Sequence, residues 1–289
     1  MKLGALEAGG TKMVVAVGNE KGEIFEKKII PTTTPQETIP EIIAFFQNKN
    51  IESLGIGTFG PVDVREDSDT YGRILDTPKS DWRQYDLLKN LQAALKVPVK
   101  LDTDVNSSCL GEVTFGAAKG LKNVIYITIG TGIGVGAVAE GKLIHGMLHP
   151  EAGHILIRKN PKDNYQGKCP YHKTCFEGLA AGPAIEERYG KKPAELEERE
   201  EVWELEADYI AQALMNYILI LSPERIILGG GVMHQEQLFS IIREKTAEYM
   251  AGYIKTEQLA NMENYIVPAS LNDNQGIMGA LKLAAMALS

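Results

Sequence analysis

Two aspartates stand where an apolar run meets a helical pattern, in Asp102-Thr103-Asp104-Val105-Asn106. A carboxylate there can take the proton of a hydroxyl while that oxygen attacks a phosphoryl group, as the base of phosphoryl transfer must. The helix N-terminus favours its ionised form. The alternative is that one of the two aspartates is only an N-cap. Glycine turns supply the other half of such chemistry. With no side chain in the way, backbone N–H groups converge on a phosphate. Gly9-Gly10-Thr11-Lys12 and Gly130-Thr131-Gly132 have that composition, each with a threonine hydroxyl beside it. Either alone could be an ordinary hairpin turn. Together with Gly229-Gly230-Gly231 before a helix, they point to a nucleotide site.

A second constellation carries metal chemistry. Cys169, His172 and Cys175 are spaced C-x-x-H-x-x-C, and His154 brings the donors to four, the number that closes a tetrahedral structural zinc site. The surrounding loop is rich in Lys, Asn, Asp and Gly and has little core of its own, so a metal is a reasonable clamp. The alternative is a pair of loose surface thiols. Cys109 lies on an apolar helix and reads as core. Glu151 and Glu177 flank the loop and could accept bidentate bonds from vicinal sugar hydroxyls; without that loop they read as solvated glutamates.

Three look-alikes fail. The glycines at 55, 57 and 60 match G-x-G-x-x-G, but Pro61 and Val62 follow instead of a helix. The run 136–142 matches G-x-x-x-x-G-K, but Leu143 sits where a hydroxyl should hold magnesium. Asp102, Asp104 and Asn106 open like a calcium loop, but Ser107 replaces its glycine and Val113 its bidentate glutamate.

The elements that must position these residues follow from periodicity. Apolar runs at 3–8 and 13–17 flank the first glycine turn and predict two strands, with a third over 23–30. Thr34, Pro35 and Glu37 predict a helix start with a capping box, and Ile39, Ile42, Ile43 and Phe46 form its buried stripe. Strands are expected at 54–59 and 97–101, and helices at 81–95 and 105–115, the latter ending at Gly116. Then the opening device returns: strand 124–129, glycine turn, strand 135–139. A long amphipathic helix over 200–221, a strand over 226–228 and helices over 235–250 and 276–288 complete the chain. A device used twice predicts two domains of similar plan, with the boundary near 114–120.

The chain has 289 residues, 44% of them hydrophobic, enough for a full core and against disorder as the main state. Thirty basic against 38 acidic residues give a net charge of −8, with no basic run, which argues against nucleic acid and anionic membrane surfaces as partners. No apolar run approaches a membrane span, and three cysteines fit a reducing compartment, so a soluble cytoplasmic protein is expected.

The residues, taken in order, resemble the ROK family of bacterial sugar kinases and repressors. The carriers are Glu7-Ala8-Gly9-Gly10-Thr11-Lys12, Thr103-Asp104-Val105-Asn106, Gly130-Thr131-Gly132-Ile133-Gly134, Glu151-Ala152-Gly153-His154 with the cysteine loop, and Gly229-Gly230-Gly231. Within the family the chain looks most like the zinc-dependent bacterial fructokinases. The resemblance implies an α/β fold of two ribonuclease-H-like domains of the actin/hexokinase/Hsp70 type, closing over an interdomain cleft. It places a small domain at 1–115, joined by the helix 274–289, and a large domain at 116–273 with the zinc loop and a dimer surface. It implies ATP and a hexose as ligands, with Mg2+ accompanying ATP, structural Zn2+, and a homodimer. Asp104 would take the proton of the sugar 6-hydroxyl. Gly9, Gly10, Thr11 and Lys12, with Gly130, Thr131 and Gly132, would approach the phosphates; Pro183, Gly229, Gly230 and Gly231 would line the adenosine side. Gly60, Asn106, Glu151, His154 and Glu177 would hold the sugar, and His154 would also bind zinc with Cys169, His172 and Cys175. The sugar could be fructose, glucose, mannose or an N-acetylhexosamine; a sugar-sensing regulator without catalysis is the reading of another class. Two departures stand out. Glu7 replaces the family's usual aspartate, and His172 replaces one of its usual cysteines.

Overall fold

The structure, a computed structural model, describes residues 1–289. The chain opens with strands β1 (Leu3–Ala8), β2 (Lys12–Gly18) and β3 (Ile24–Pro31), helix α1 (Pro35–Phe46) and strand β4 (Ser53–Thr58). Helix α2 (Leu87–Leu95), strand β5 (Val99–Thr103) and helix α3 (Asp104–Phe115) follow. Next come β6 (Val124–Ile129), β7 (Ile133–Ala139), β8 (Lys142–Leu143), α4 (Phe176–Ala180), α5 (Gly182–Tyr189) and α6 (Glu200–Leu221). The last elements are β9 (Arg225–Gly229), α7 (Gln237–Met250), α8 (Glu257–Ala260), α9 (Met262–Tyr265), β10 (Ile266–Pro268) and α10 (Gln275–Met286).

Two compact units result. The first comprises Met1–Gly120, Leu143–Pro150 and Ser270–Ser289; the second comprises Leu121–Lys142 and Glu151–Ala269. The first unit holds a sheet of order β3-β2-β1-β4-β5. Its hairpin strands β1, β2 and β3 run antiparallel, while β1, β4 and β5 are parallel. Strict alternation sorts the side chains of β1 and β2. Leu6, Ala8, Met13, Val15 and Val17 face the core built with α1 and α2, whereas Leu3, Ala5, Val14 and Ala16 pack on Ile277, Ala280, Leu281 and Ala284 of α10. Glycine lets α10 lie unusually close to the sheet. A Cβ on Gly55 would stand 1.8 Å from the Ala280 carbonyl oxygen.

The second unit repeats the plan with order β10-β9-β6-β7-β8. Here β6 and β7 form the antiparallel hairpin, and β9 and β10 add in parallel. The paired strand–glycine turn–strand devices of the sequence are these two hairpins.

Three local expectations are corrected. The predicted capping box at Thr34 is absent: its side chain makes no cap bond, and Thr33 N–H donates instead to Thr38 Oγ1 at 3.1 Å. The predicted helix over 81–95 begins only at Leu87. A short 3-10 turn at Ser80–Trp82 and a left-handed Gln84 come first, because Trp82 is drawn into an edge-on cluster with Phe59 and Tyr85. The strand expected at 135–139 begins earlier, at Ile133.

Candidate active site

The parallel register of the first sheet decides which residues meet. Ala8 pairs with Thr58, and Thr58 with Thr103, so β1, β4 and β5 end in one row. The turn Gly9–Lys12, Gly60 and Asp104 all leave that edge, where open parallel sheets place their ligands. Gly9 N–H donates to Lys12 carbonyl at 3.1 Å, closing the turn, and Thr32 Oγ1 fixes it by donating to Gly9 carbonyl at 2.8 Å. The side chains of Thr11 and Lys12 are exposed.

Neither aspartate of the 102–106 motif caps the helix. Thr103 does, its Oγ1 accepting from Asn106 N–H at 3.1 Å. Asp102 is buried, and its carboxylate is fully engaged. Oδ1 accepts from Thr103 N–H at 2.8 Å and from Asn106 Nδ2 at 2.7 Å, and Oδ2 meets His145 Nε2 at 2.8 Å. Asp104, one position into the helix, is half-buried and left with one bond, from Val105 N–H at 2.8 Å. Asn106 is buried, and its amide donates to Asp102. His149 accepts from Val62 N–H at 3.2 Å, and a Cβ on Gly60 would press against its ring, 3.2 Å from Cε1. The sequence pattern placed Asp102 beside Asp104 at this edge without separating them, and gave no sign that His145 and His149 frame it; the hydrogen bonds to Asp102 make the distinction.

Electrostatics revises one expectation. The helix N-terminus does not keep Asp104 in the ordinary carboxylate range. Burial, followed by the neighbouring Glu7 charge, pushes it up to about 7. Burial also raises Glu7, against the pull of Lys12 and Lys27. Gly57 and Gly276 make room for both groups: a Cβ on Gly57 would lie 3.4 Å from Asp104 Cα, and one on Gly276 2.5 Å from the Glu7 carboxyl carbon. A base titrating near neutrality is matched to proton abstraction at physiological pH. The acid limb of kcat/KM is therefore expected near pH 7, falling tenfold per unit below it as Asp104 takes up a proton. Glu7→Gln removes the like charge and moves the limb to lower pH; a limb unmoved in a pH–rate profile would contradict this.

The second unit gathers its own set. Thr128 pairs with Gly229, so the turns at 130–132 and 229–231 leave one end of β6 and β9. A Cβ on Gly130 would approach Gly231 N to 3.8 Å, and Gly182, just before Pro183, donates to Gly130 carbonyl at 2.8 Å. Gly230 is left-handed, with φ +89°, and a Cβ there would strike the Ile129 backbone at 2.5 Å. Thr131 and Gly231 are exposed. Glu177 Oε2 accepts from Ile133 N–H at 2.9 Å, which ties the glycine turn to the cysteine loop.

In that loop His154 Nδ1 lies 3.7 Å from Cys169 Sγ and 3.5 Å from Cys175 Sγ, and His172 Nδ1 lies 3.8 Å from Cys169 Sγ. The four donor atoms fall within 4.8 Å of one another. A tetrahedron with Zn–S about 2.3 Å and Zn–N about 2.0–2.1 Å has S···N edges of about 3.5–3.6 Å, so the residues fit such an ion. Burial pushes the Cys175 thiol up to about 11, which a bound divalent cation would reverse. His154 turns its other nitrogen, Nε2, to Glu177 Oε1 at 3.8 Å. Glu151 precedes the 3-10 turn that carries His154, and its side chain is exposed.

Comparisons with known proteins agree with this geometry. The chain is 54% identical, over 99% of its length and 96% of the relative's, to a Bacillus subtilis strain 168 protein that carries only a provisional fructokinase name. It is 45% identical, over 100% of its length and 99% of the relative's, to a fructokinase of Pediococcus pentosaceus. The crystal structure of a ROK hexokinase from Thermus thermophilus superposes with a TM-score of 0.79 at 26% identity, covering 100% of this chain and 99% of that one. Two sheets of one order, a carboxylate at the strand edge and a family model matching residues 3–287 lead to the same place: this chain belongs to the ROK family.

Proposed function

We propose that this chain is an ATP-dependent fructokinase, moving the γ-phosphoryl group of ATP to the 6-hydroxyl of D-fructose. The observation that carries the chemistry is Asp104: a carboxylate at the strand edge, left with a single hydrogen bond and raised to about 7, on the same edge as the Gly9–Lys12 turn. The choice of fructose rests on the full-length likeness to proteins named for that activity.

In this reading Asp104 holds the 6-hydroxyl by its proton and accepts that proton as the oxygen attacks. The turn residues Gly9, Gly10, Thr11 and Lys12, and Gly130, Thr131 and Gly132 on the other unit, cradle phosphates. Pro183 and Gly229, Gly230 and Gly231 receive the nucleoside. Gly60, Asn106, Glu151, His154 and Glu177 orient the sugar. Most of the rate then comes from positioning and charge stabilisation. Mg2+ bound with ATP would offset phosphate charge, and Glu7, at the position of the family's usual aspartate, would be a carboxylate of the first unit placed toward it. Zinc fits the cluster of two thiols and two imidazoles, where it would fix the loop and the His154 ring. Kinship with sugar kinases supports a cytoplasmic homodimer, in which the small domain is built on residues 1–115 with 274–289, joined by Leu143–Pro150 of the first compact unit, and the large one on the rest of 116–273. No helix is long and apolar enough to cross a membrane.

A panel of sugars in a coupled ADP-release assay tests the substrate. Fructose is expected to exceed glucose, mannose and N-acetylmannosamine at least tenfold in kcat/KM. A higher value for one of these reassigns the sugar. Tight sugar binding with no turnover of any sugar would leave a sensor in place of a kinase.

A further inference from the structure

Lys79 lies in the long connection between β4 and α2, far in sequence from every motif. Its backbone is held on both sides. Its N–H donates to Thr77 Oγ1 at 3.4 Å, and its carbonyl accepts from Trp82 N–H at 3.0 Å. Trp82 is buried and anchored, with Nε1–H donating to Thr33 carbonyl at 2.7 Å. From this mount the half-buried side chain runs over the first glycine turn. The place of a Cβ on Gly10 is 2.9 Å from Lys79 Cε and 3.9 Å from Nζ. The ammonium has no carboxylate or carbonyl partner.

The turn beneath it is also unfilled. Gly9 N–H is used within the turn, but the N–H groups of Gly10 and Thr11 donate to no protein group. Lys12 adds a second ammonium on the same turn, and the nearby carboxylate of Glu7 is paired in its field with Lys12 and Lys27, not Lys79. The Lys79 ammonium over the turn, the cationic Lys12 within it and two open N–H groups describe a site for an anion with several oxygens. Asp104 stands on the same strand edge. A base that accepts the 6-hydroxyl proton must lie next to that oxygen, and that oxygen next to the phosphorus it attacks. The phosphoryl group nearest this edge is therefore the one in transfer.

We propose that Lys79 is a further catalytic residue, whose ammonium contacts the phosphoryl group as it passes from ATP to the sugar. This assignment rests on the kinase reading above. In the step, the sugar O6–Pγ bond forms and the bond from Pγ to the β,γ-bridging oxygen breaks. ADP leaves with that electron pair, the O6 proton goes to Asp104, and Lys79 keeps its proton throughout. Its positive charge offsets negative charge on the equatorial oxygens where transfer concentrates it.

The test is steady-state kinetics of Lys79→Met and Lys79→Arg with ATP and fructose, beside Asp104→Asn. Methionine keeps the stem over Gly10 and deletes the charge. The expected result is a kcat about 100-fold lower in Lys79→Met, with both KM values within threefold of wild type, an unchanged thermal midpoint, and at least tenfold recovery in Lys79→Arg. A kcat within threefold of wild type, or a change in the KM for ATP alone, overturns the assignment. Should Lys79→Met fold poorly, Lys79→Gln is judged by the same criteria. An inactive Asp104→Asn beside a fully active Lys79→Met removes only Lys79; an active Asp104→Asn places the failure in the kinase reading itself.

Discussion

Asp104→Asn is expected to lower kcat by about 10³–10⁴-fold while making the folded protein more stable at pH 8. The first effect follows from losing the proton acceptor; general-base contributions are about 10²–10⁴-fold, and no second free carboxylate of the 102–106 motif can substitute. Asp102 is bound to Asn106, Thr103 and His145. The second effect follows from the raised pKa. Below the unfolded value of 3.8, Asp104 is protonated in both states and costs nothing. As pH rises from there toward 7, the unfolded chain ionises while the folded site resists, and stability is lost. A shift of about three units, discounted for partial exposure, corresponds to about 2–4 kcal/mol at pH 8. The asparagine variant escapes that cost. Thermal midpoints across pH 4–8 check it: the variant should gain on wild type with rising pH and converge with it at the acid end. Parallel curves would mean that Asp104 is not held up by its surroundings.

The second large effect concerns the cysteine loop. The loop carries few apolar side chains of its own and is tied by short bridges such as Leu156 with Cys175. Cys175→Ser should reduce zinc from about one ion per chain to near zero and lower the thermal midpoint by about 10 °C. Catalysis should fall as well, because His154 is one of the four donors and its Nε2 faces Glu177, whose carboxylate accepts from Ile133 N–H in the glycine turn. Elemental analysis and calorimetry of the same samples decide it. Full activity and an unchanged midpoint in metal-free protein would show that the four side chains hold nothing of consequence.

Much of the fold was legible because its signals are local. The paired apolar runs around each glycine turn, the helical periodicity of the 22-residue α6 and the glycine stop after α3 each follow from backbone geometry and burial. The misread segments are those where a distant partner outweighs local preference. The letters over 81–95 carry helical spacing, but Trp82 is worth more in the aromatic cluster with Phe59 and Tyr85 than in a helical turn. Thr34, Pro35 and Glu37 spell a capping box, but Thr38 takes the hydroxyl bonds around Thr33 instead.

The site shows the same division. Spacing found the cysteine loop because ligands close in sequence must be close in space. Spacing alone could not separate Asp102 from Asp104, since both begin as carboxylates at one strand end; burial against His145 and Asn106 does that. Lys79 carries no sequence signal at all. Its place over Gly10 comes from how a connection of some thirty residues folds back on the first hairpin.

The most direct test of the central claim is a single turnover of ATP with fructose, followed by phosphorus NMR, on the wild-type chain and on Asp104→Asn in parallel. The prediction is one phosphate ester, coupled to the protons on carbon 6, with one ADP formed per ester in the wild type and no ester from the variant over the same interval. The same ester from the variant at the wild-type rate, or an ester on another carbon, would contradict the account.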